Sequence, residues 1–294
     1  MNLQRYLARG KEMVDLELET RLPGDSRLPA ALREAMRFAL IGSGKRIRPI
    51  LVLAISEMFR ADPRRILPIA CAVELVHTCS LILDDLPGMD DAEFRRGKPA
   101  VHRIYGEGIA ILAALGFLNQ AYRILWDERL AGILGRETVL FLGGMLSGAI
   151  GPAGMISGQA ADLGKGSGEP TLESLEFIHS RKTGSLFIAS AEMAAIASGA
   201  NPPEISALRG FSKNLGLAFQ ITDDLLDARG DPERMGKPTG QDAEKFTFVN
   251  LCGVDGARKL VDELIESSRR ALDPFRSRTS RLLEFADYVR TRDR

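Results

Sequence analysis

The sequence predicts an all-α protein. Along most of its 294 residues, apolar side chains recur at spacings of three and four, and the alternation typical of strands is almost absent. Proline and glycine interrupt this pattern, but no interruption is long or polar enough to be an interdomain linker, and no internal repeat is visible. We therefore expect one helical domain over residues 1–294. The longest predicted helices are residues 51–59, 66–86, 107–126, 174–200 and 204–228.

The first twenty residues mix charged side chains with leucines at helical spacing. They contain no continuous apolar core of the kind that a signal peptide has, so we expect an amphipathic first helix. The three cysteines, Cys71, Cys79 and Cys252, are odd in number and lack the spacing of a zinc site. This pattern argues against a disulfide framework and favours a reducing compartment, for which we expect the cytoplasm.

The charges of the chain balance, since Lys plus Arg and Asp plus Glu number 39 each. No global field therefore favours nucleic acid, which is not an expected partner. Residues 138–161 carry no charge and are long enough to span a bilayer. Because they contain several glycines and Pro152, a closely packed helix pair broken at Gly151-Pro152 is the better interpretation. We expect no transmembrane segment.

Two aspartate-rich clusters each follow an apolar helical segment. They are DDLPGMDD at residues 84–91 and DDLLD at residues 223–227. Carboxylates seldom follow core-type helices unless they are paired or bind a metal. In the second cluster Asp223 and Asp227 are four residues apart, so their Cβ atoms would lie about 5–6 Å apart on one helical face.

Such carboxylates repel each other, and a cation relieves the repulsion. Oxygen ligands without neighbouring histidine or cysteine suit Mg²⁺, with Mn²⁺ as a tolerable substitute. A single cluster of this kind is more often a solvated surface or a helix cap. Two clusters, each at the end of an apolar helix, make a metal site the better hypothesis.

Basic residues supply candidate ligands for phosphate. The segment GSGKRIRP, residues 42–49, places a glycine-rich turn before a predicted helix. Free backbone N–H groups and the side chains of Lys45 and Arg48 can there face one anion. Taken alone, each basic residue of the chain is more often a surface residue than a ligand. The two acidic clusters make a phosphate-binding role more favourable for the basic residues near them. The further cations are Arg95, Arg96, Lys182, Lys237 and Lys245, together with the C-terminal Arg290, Arg292 and Arg294, which either close over a diphosphate or form a charged tail.

In order and spacing, these segments resemble the trans-isoprenyl diphosphate synthase family, which includes farnesyl and geranylgeranyl diphosphate synthases. The resemblance runs from about Gly42 to about Arg258. It implies a large helical bundle around a central cavity, and an enzyme that condenses isopentenyl diphosphate with dimethylallyl, geranyl or farnesyl diphosphate. Members of the family are usually homodimers, so we expect a homodimer. The matching segments are GSGKRIRP, ELVHTCSLILDDLPGMDDAEFRRGKP, SGQAADL, RKTG, AFQITDDLLD, GKP and DAEKFTFVNLCG.

The resemblance also implies a role for each matching residue. Three Mg²⁺ ions would be bound, two of them by Asp84, Asp85 and Asp90, and the third by Asp223 with Asp224 and Asp227. The allylic diphosphate would be held by Arg95, Lys182 and Lys245, with Lys237 as an addition. Isopentenyl diphosphate would be held by Lys45, Arg48, His77 and Arg96. Beside the allylic carbocation would lie Lys182, Thr183 and Gln220.

Product length is expected to depend on the helix that precedes the first cluster. Cys79 and Ser80, five and four residues before Asp84, are both small, whereas family members with short products tend to carry an aromatic ring at one of these positions. This favours geranylgeranyl diphosphate as the product, with farnesyl diphosphate as the alternative, and longer products if no bulky residue on a facing helix closes the pocket.

Two other functions compete with this interpretation. A terpene cyclase would usually carry an Asn/Ser/Glu metal motif instead of the second aspartate cluster, and no such motif is present. A non-catalytic partner subunit of a prenyl synthase would be expected to have decayed metal motifs, and both clusters are intact. The enzyme is therefore the favoured hypothesis.

Overall fold

The computed structural model of the chain describes residues 2–22, 24, 28–42, 44–164, 171–228 and 247–292, with residues 276 and 277 in their backbone only. Within these ranges the chain is helical apart from one two-stranded antiparallel hairpin. The prediction of an all-α protein is confirmed. In chain order the elements are α1 (Leu3–Arg21), α2 (Ala30–Leu40), α3 (Ile47–Met58), α4 (Pro63–Asp84), β1 (Phe94–Arg95), β2 (Lys98–Pro99), α5 (Val101–Tyr105), α6 (Glu107–Leu125), α7 (Glu128–Leu134), α8 (Arg136–Ile150), α9 (Met155–Leu163), α10 (Leu172–His179), a π-helix (Ser180–Gly184), α11 (Ser185–Ala197), α12 (Pro202–Ala228), α13 (Phe248–Ala271), a 3₁₀-helix (Asp273–Thr279) and α14 (Ser280–Thr291).

The chain divides into two compact units, which are described separately. The first unit comprises Met1–Leu53 and Ala61–Gly143, and the second comprises Ala54–Arg60 and Gly144–Arg294. The boundaries fall within or next to α3 and inside α8 rather than in long linkers. The single domain over residues 1–294 stays a prediction.

Helix α4 is the core of the first unit. Its middle turns are apolar on nearly all sides, so residues 69–76 are all buried. Asp62 caps its first turn by accepting a hydrogen bond from the Arg64 backbone N–H at 2.9 Å. Helix α6 packs along α4, and its buried face is rich in alanine, which lets two helices approach closely. The first aspartate cluster therefore begins at the end of a firmly packed helix.

Helix α12 is the corresponding core helix of the second unit. Leu208, Phe211 and Leu215 recur three and four apart on its buried face. The helix packs against α11, α13, α14 and the π-helix. The second aspartate cluster, residues 223–227, lies in its last two turns, so these carboxylates too are carried by a long packed helix.

The predicted break at Gly151-Pro152 is confirmed, because α8 ends at Ile150 and α9 begins at Met155. The predicted helical segment over residues 174–200 corresponds to a continuous helical run from Leu172 to Ala197, in which the π-helix lies between α10 and α11. The π-helix itself was not predicted. Helix α13, among the longest of the described helices, was not among those expected. Its first turns contain Gly253 at φ 72°, where the helix is kinked.

In the part of the chain that the structure describes, three helical stretches are candidates for a membrane span by length and composition alone. They are Pro63–Asp84, Glu107–Leu125 and Arg136–Leu163. The first of them is α4, most of which is buried within its unit, and the third contains the break between α8 and α9. Nothing shows that any of the three enters a membrane, and the absence of a transmembrane segment stays a prediction.

Candidate active site

The first aspartate cluster folds back on the end of α4. Asp84 is the last residue of the helix, and Asp85 caps it. The chain then turns so that the Asp90 backbone N–H donates to the Asp84 carbonyl at 2.9 Å, and the Ala92 N–H donates to the Asp85 carbonyl at 3.1 Å. Asp85 is buried, Asp84 is half-buried and Asp90 is exposed. Asp84 and Asp90 can therefore face solvent or a ligand from one tight turn.

Asp85 is instead turned into the protein, where it meets Arg95. The Arg95 Nε–H donates to Asp85 Oδ1 at 2.8 Å, and Arg95 Nη2 contacts the same oxygen. Burial raises the pKa of the Asp85 carboxyl, and the arginine offsets part of that effect. The predicted metal ligand and the predicted diphosphate ligand are thus paired with each other in this structure.

The hairpin formed by β1 and β2 positions two arginines. Its two turn residues, Arg96 and Gly97, both have positive φ, 56° and 74°, as a type I′ hairpin turn requires. Arg95, at the end of β1, contacts Asp85, while Arg96 Nη2 lies 3.4 Å from His77 Nε2. One tight turn therefore directs two adjacent arginines to two different partners.

His77 lies between two guanidinium groups. Its Nε2 is 3.4 Å from Arg48 Nη1 and 3.4 Å from Arg96 Nη2. Burial lowers the pKa of His77 well below its usual value, and Arg48 and Arg96 lower it further. The ring is therefore neutral, and Nε2 accepts hydrogen bonds. Three of the four residues predicted to bind isopentenyl diphosphate meet here, while Lys45 is exposed on the loop before α3.

In the second unit, Gly158 allows α9 to lie directly on the π-helix. A Cβ at Gly158 would clash with the Lys182 backbone N and lie 2.8 Å from its Cα. The π-helix contains Lys182 and Thr183, two of the predicted site residues, and such helices occur frequently at functional sites. Lys182 Nζ donates to Asp162 Oδ2 at 2.6 Å. Asp162 belongs to the matching segment SGQAADL but was not predicted as a site residue.

A chain of hydrogen bonds links the predicted carbocation-facing residues to the second aspartate cluster. Thr183 Oγ1 donates to Gln220 Oε1 at 3.1 Å, and Gln220 Nε2 donates to Asp224 Oδ1 at 3.2 Å. The other oxygen, Asp224 Oδ2, accepts from the Phe248 backbone N–H at 3.1 Å. Asp224 and Asp227 are buried, and Asp223 is half-buried.

Asp223 forms an ion pair with Arg292, near the C-terminus. Arg292 Nη2 donates to Asp223 Oδ1 at 2.7 Å and to the Phe219 carbonyl at 2.6 Å. The guanidinium also stacks on the Phe219 ring, 3.7 Å from its centroid. The sequence left open whether this arginine closes over a diphosphate or belongs to a charged tail, and its contact with Asp223 matches neither expectation. Closure over a diphosphate stays a prediction. Lys237, Lys245 and Arg294 lie outside the described residues.

Comparison with known proteins identifies the family. Residues 29–275 match the polyprenyl synthetase family. The chain belongs to this family. It is 41% identical to the farnesyl diphosphate synthase of Geobacillus stearothermophilus over 92% of both chains. It is 38% identical to large subunit 1 of the heterodimeric geranylgeranyl pyrophosphate synthase of Arabidopsis thaliana, over 97% of this chain and 78% of that one. The crystal structure of an FPP/GFPP synthase from Zymomonas mobilis shares 34% identity and a TM-score of 0.87, over 99% of both chains.

As a trans-prenyl diphosphate synthase, the protein is a prenyltransferase that binds isopentenyl diphosphate and an allylic diphosphate. Enzymes of this family generally depend on divalent metal. Among the described residues, no three His, Cys, Asp or Glu side chains are grouped so as to hold a metal ion by themselves. Mg²⁺ is typically bound by one or two carboxylates together with water and phosphate oxygens. In the first aspartate cluster, the half-buried Asp84 and the exposed Asp90 have carboxylates of the type that binds an ion in this way.

Proposed function

We propose that the protein is a Mg²⁺-dependent geranylgeranyl diphosphate synthase, with farnesyl diphosphate synthase as the alternative. The observation that carries the product assignment is the size of the residues before the first cluster. Cys79 is buried on α4, and Ser80 is half-buried, with its hydroxyl donated to the His77 carbonyl at 2.9 Å. Neither side chain is bulky. Since one helical turn rises about 5.4 Å, close to the length of one isoprene unit, an absent aromatic ring leaves room for about one further condensation.

The described residues supply the binding steps of this reaction. The cationic pair Arg48 and Arg96, with neutral His77 between them, offers N–H donors to the diphosphate of isopentenyl diphosphate. Arg95 and Lys182 are assigned to the allylic diphosphate. In this structure Arg95 is paired with Asp85, and Lys182 is paired with Asp162. Each cation therefore exchanges its carboxylate partner for the diphosphate when the substrate binds.

The chemistry then follows from charge. When bound, the metal ions neutralise the allylic diphosphate as it leaves. The isopentenyl double bond attacks the allylic carbocation, and a proton is lost to the departing diphosphate. Thr183 donates its hydroxyl hydrogen to Gln220, so the oxygen lone pairs of Thr183 stay available to stabilise positive charge. No protein nucleophile is required.

Product analysis tests the assignment. The purified chain is incubated with Mg²⁺, isopentenyl diphosphate and each allylic primer, and the dephosphorylated products are sized. We expect C20 alcohol from the unmodified enzyme. A C15 product would instead establish the farnesyl alternative. No product with any primer would favour the non-catalytic partner subunit.

A substitution on α4 tests the cause of the product length. Cys79→Tyr places a ring on the helix that leads to Asp84, and the product is expected to shorten by about one isoprene unit, because a ring adds about one helical turn of blockage. Cys79→Ala, which keeps the residue small, is the matched control and should leave the product unchanged. If the tyrosine variant is active and makes the same product, α4 does not set the length.

Three Mg²⁺ ions per active site, replaceable by Mn²⁺, are part of the proposal. Asp84, Asp85 and Asp90 are assigned to two of them, and the second cluster to the third. The location of the enzyme is proposed to be the cytoplasm. This agrees with the three cysteines, which are free thiols.

We also propose that the enzyme is a homodimer. Large apolar side chains are exposed on two helices of the first unit, and exposed apolar surface of this kind often marks a protein–protein interface. They are Leu112 and Leu115 on α6, and Leu140 and Phe141 on α8. Light scattering is expected to give twice the chain mass of 32.1 kDa. Leu140→Glu should weaken the dimer, whereas Leu16→Glu, at an equally exposed leucine of α1, should not. A monomer at micromolar concentration would contradict the proposal.

A further inference from the structure

Arg46 is a buried arginine in the middle of the GSGKRIRP segment. Its side chain is fully buried, although it lies between Lys45 and Arg48, which the proposed function assigns to isopentenyl diphosphate. Arg46 Nε donates to Asp15 Oδ1 on α1 at 2.7 Å, and Nη1 donates to Glu74 Oε1 on α4 at 2.7 Å. Nη2 donates to the Leu40 carbonyl. The Arg46 guanidinium therefore links α1, α2 and α4 through hydrogen bonds.

As a source of folding stability only, a buried cluster of charged side chains is costly. Glu74 is as buried as Arg46, and charges taken out of water are stabilised by their partners only at a large desolvation cost. Packed apolar residues of similar volume often serve stability as well or better. A role in positioning neighbouring residues would explain why the cluster is buried here.

The geometry in question is that of the neighbouring arginines. A Cβ at Gly44 would clash with the Arg46 guanidinium and lie 2.7 Å from Arg96 Nη1, so the two guanidinium groups are close neighbours. Arg48 and Arg96 also both contact His77. Like charges at such separations repel, and Glu74 and Asp15 supply the opposite charge that keeps them together before an anion arrives.

The backbone conformation of Arg46 also depends on the contacts of its side chain. Its φ is 55°, in the left-handed region that non-glycine residues rarely adopt. Three side-chain hydrogen bonds hold the residue in this conformation. The segment then enters α3 at Ile47, which places Arg48 in the first turn, facing His77. Strain of this kind persists only where the surroundings over-determine it.

We propose that Arg46, clamped by Asp15 and Glu74, is a positioning residue of the isopentenyl diphosphate site, which does not touch substrate but fixes the loop that carries Lys45 and Arg48. This inference rests on the proposed assignment of that site. It gives α1 a part in substrate binding, although α1 lies before residues 29–275, which match the family.

Matched variants on α1 test the proposal. Asp15 and Glu17 are equally exposed, and each pairs with a basic residue four positions away, Lys11 and Arg21 respectively. Only Asp15 also bonds Arg46. Asp15→Asn should raise the KM for isopentenyl diphosphate about tenfold, the effect of losing one hydrogen bond to a charged group. The KM for the allylic diphosphate and kcat should stay within about twofold, and Glu17→Gln should change none of the three.

Glu74→Gln extends the series, with a larger rise in the same KM, because it removes a fully buried charge. If this variant does not fold, the partly exposed Asp15 still decides the question. An unchanged KM in Asp15→Asn would make the cluster merely structural. A lower KM would show that the carboxylates only oppose the anion, and would overturn the proposal.

Direct binding separates this inference from the proposed function. Calorimetric titration of isopentenyl diphosphate into the full chain needs no turnover, and Asp15→Asn should weaken its binding while Glu17→Gln does not. If the unmodified chain binds isopentenyl diphosphate but forms no product, the proposed activity fails and the test of Asp15 still stands. If it does not bind isopentenyl diphosphate, the assignment of the site fails and this inference fails with it.

Discussion

The two aspartate clusters end similar helices but are held in different ways. In the first, Asp85 pairs with Arg95, ten residues later in the chain, through a hairpin that directly follows the cluster. In the second, Asp224 is held by a side-chain amide and a backbone N–H, and Asp223 pairs with Arg292, 69 residues later. The first cluster is thus completed locally, and the second by the distant C-terminal end of the chain.

The difference concerns charge as well as distance. Both oxygens of Asp224 accept hydrogen bonds from neutral groups, the Gln220 side-chain amide and the Phe248 backbone N–H. Asp223 instead already has a cation, one that competes with any metal ion for Oδ1. We therefore expect the second cluster to bind metal in competition with Arg292.

The largest effect is expected from removing one carboxylate of each cluster. Asp84→Ala and Asp223→Ala each take away a proposed metal ligand, at the place where the leaving diphosphate is expected to need neutralising most. If about 4 kcal/mol of transition-state stabilisation is lost, turnover falls about a thousandfold. Circular dichroism should show unchanged helix content, and steady-state assays at saturating Mg²⁺ measure the rate. Near-normal turnover in either variant would remove that cluster from the metal site.

Two smaller effects, which differ in size, should separate the two arginines. Arg95→Gln leaves the buried Asp85 without its cation and should cost about 2 kcal/mol of unfolding free energy, measured by urea denaturation. It should also raise the KM for the allylic substrate. Arg292→Gln should cost about 1 kcal/mol, since Asp223 is partly exposed.

The metal dependence then distinguishes these two variants. Arg292→Gln frees Asp223, so the Mg²⁺ concentration at half-maximal rate should fall a few-fold, in line with an ion pair of about 1 kcal/mol. Arg95→Gln should show no such fall. A rise in the Mg²⁺ requirement of Arg292→Gln would mean that the arginine supports the metal site instead of competing with it.

Local patterns explain what the sequence could predict. The helices that carry both clusters follow from apolar spacing, and the family resemblance placed His77 beside Arg48 and Arg96 in one predicted site. The partners Asp162 of Lys182, Arg292 of Asp223 and Glu74 of Arg46 could not be derived, because a single sequence carries no signal for pairs so far apart. The hairpin was also missed, since two-residue strands are too short to show an alternating pattern. The catalytic roles stay predictions.

The smallest expected effect concerns pH and the neutral histidine of the first unit. The pKa of His77 is depressed in the folded protein by burial and by Arg48 and Arg96, so the folded state resists protonation and the unfolded state does not. Its contribution to stability is therefore fully present above the ordinary histidine pKa of about 6.5 and is lost as pH falls from there towards the folded pKa. His77→Gln keeps a polar side chain but does not titrate, so its unfolding free energy should fall less steeply with pH below about 6.5 than that of the unmodified protein. Urea denaturation at matched pH values measures both slopes, and His179→Gln, a substitution of a buried histidine in the second unit, is the control for loss of a ring. Parallel slopes for the His77 variant and the unmodified protein would mean that His77 is not held neutral between its arginines.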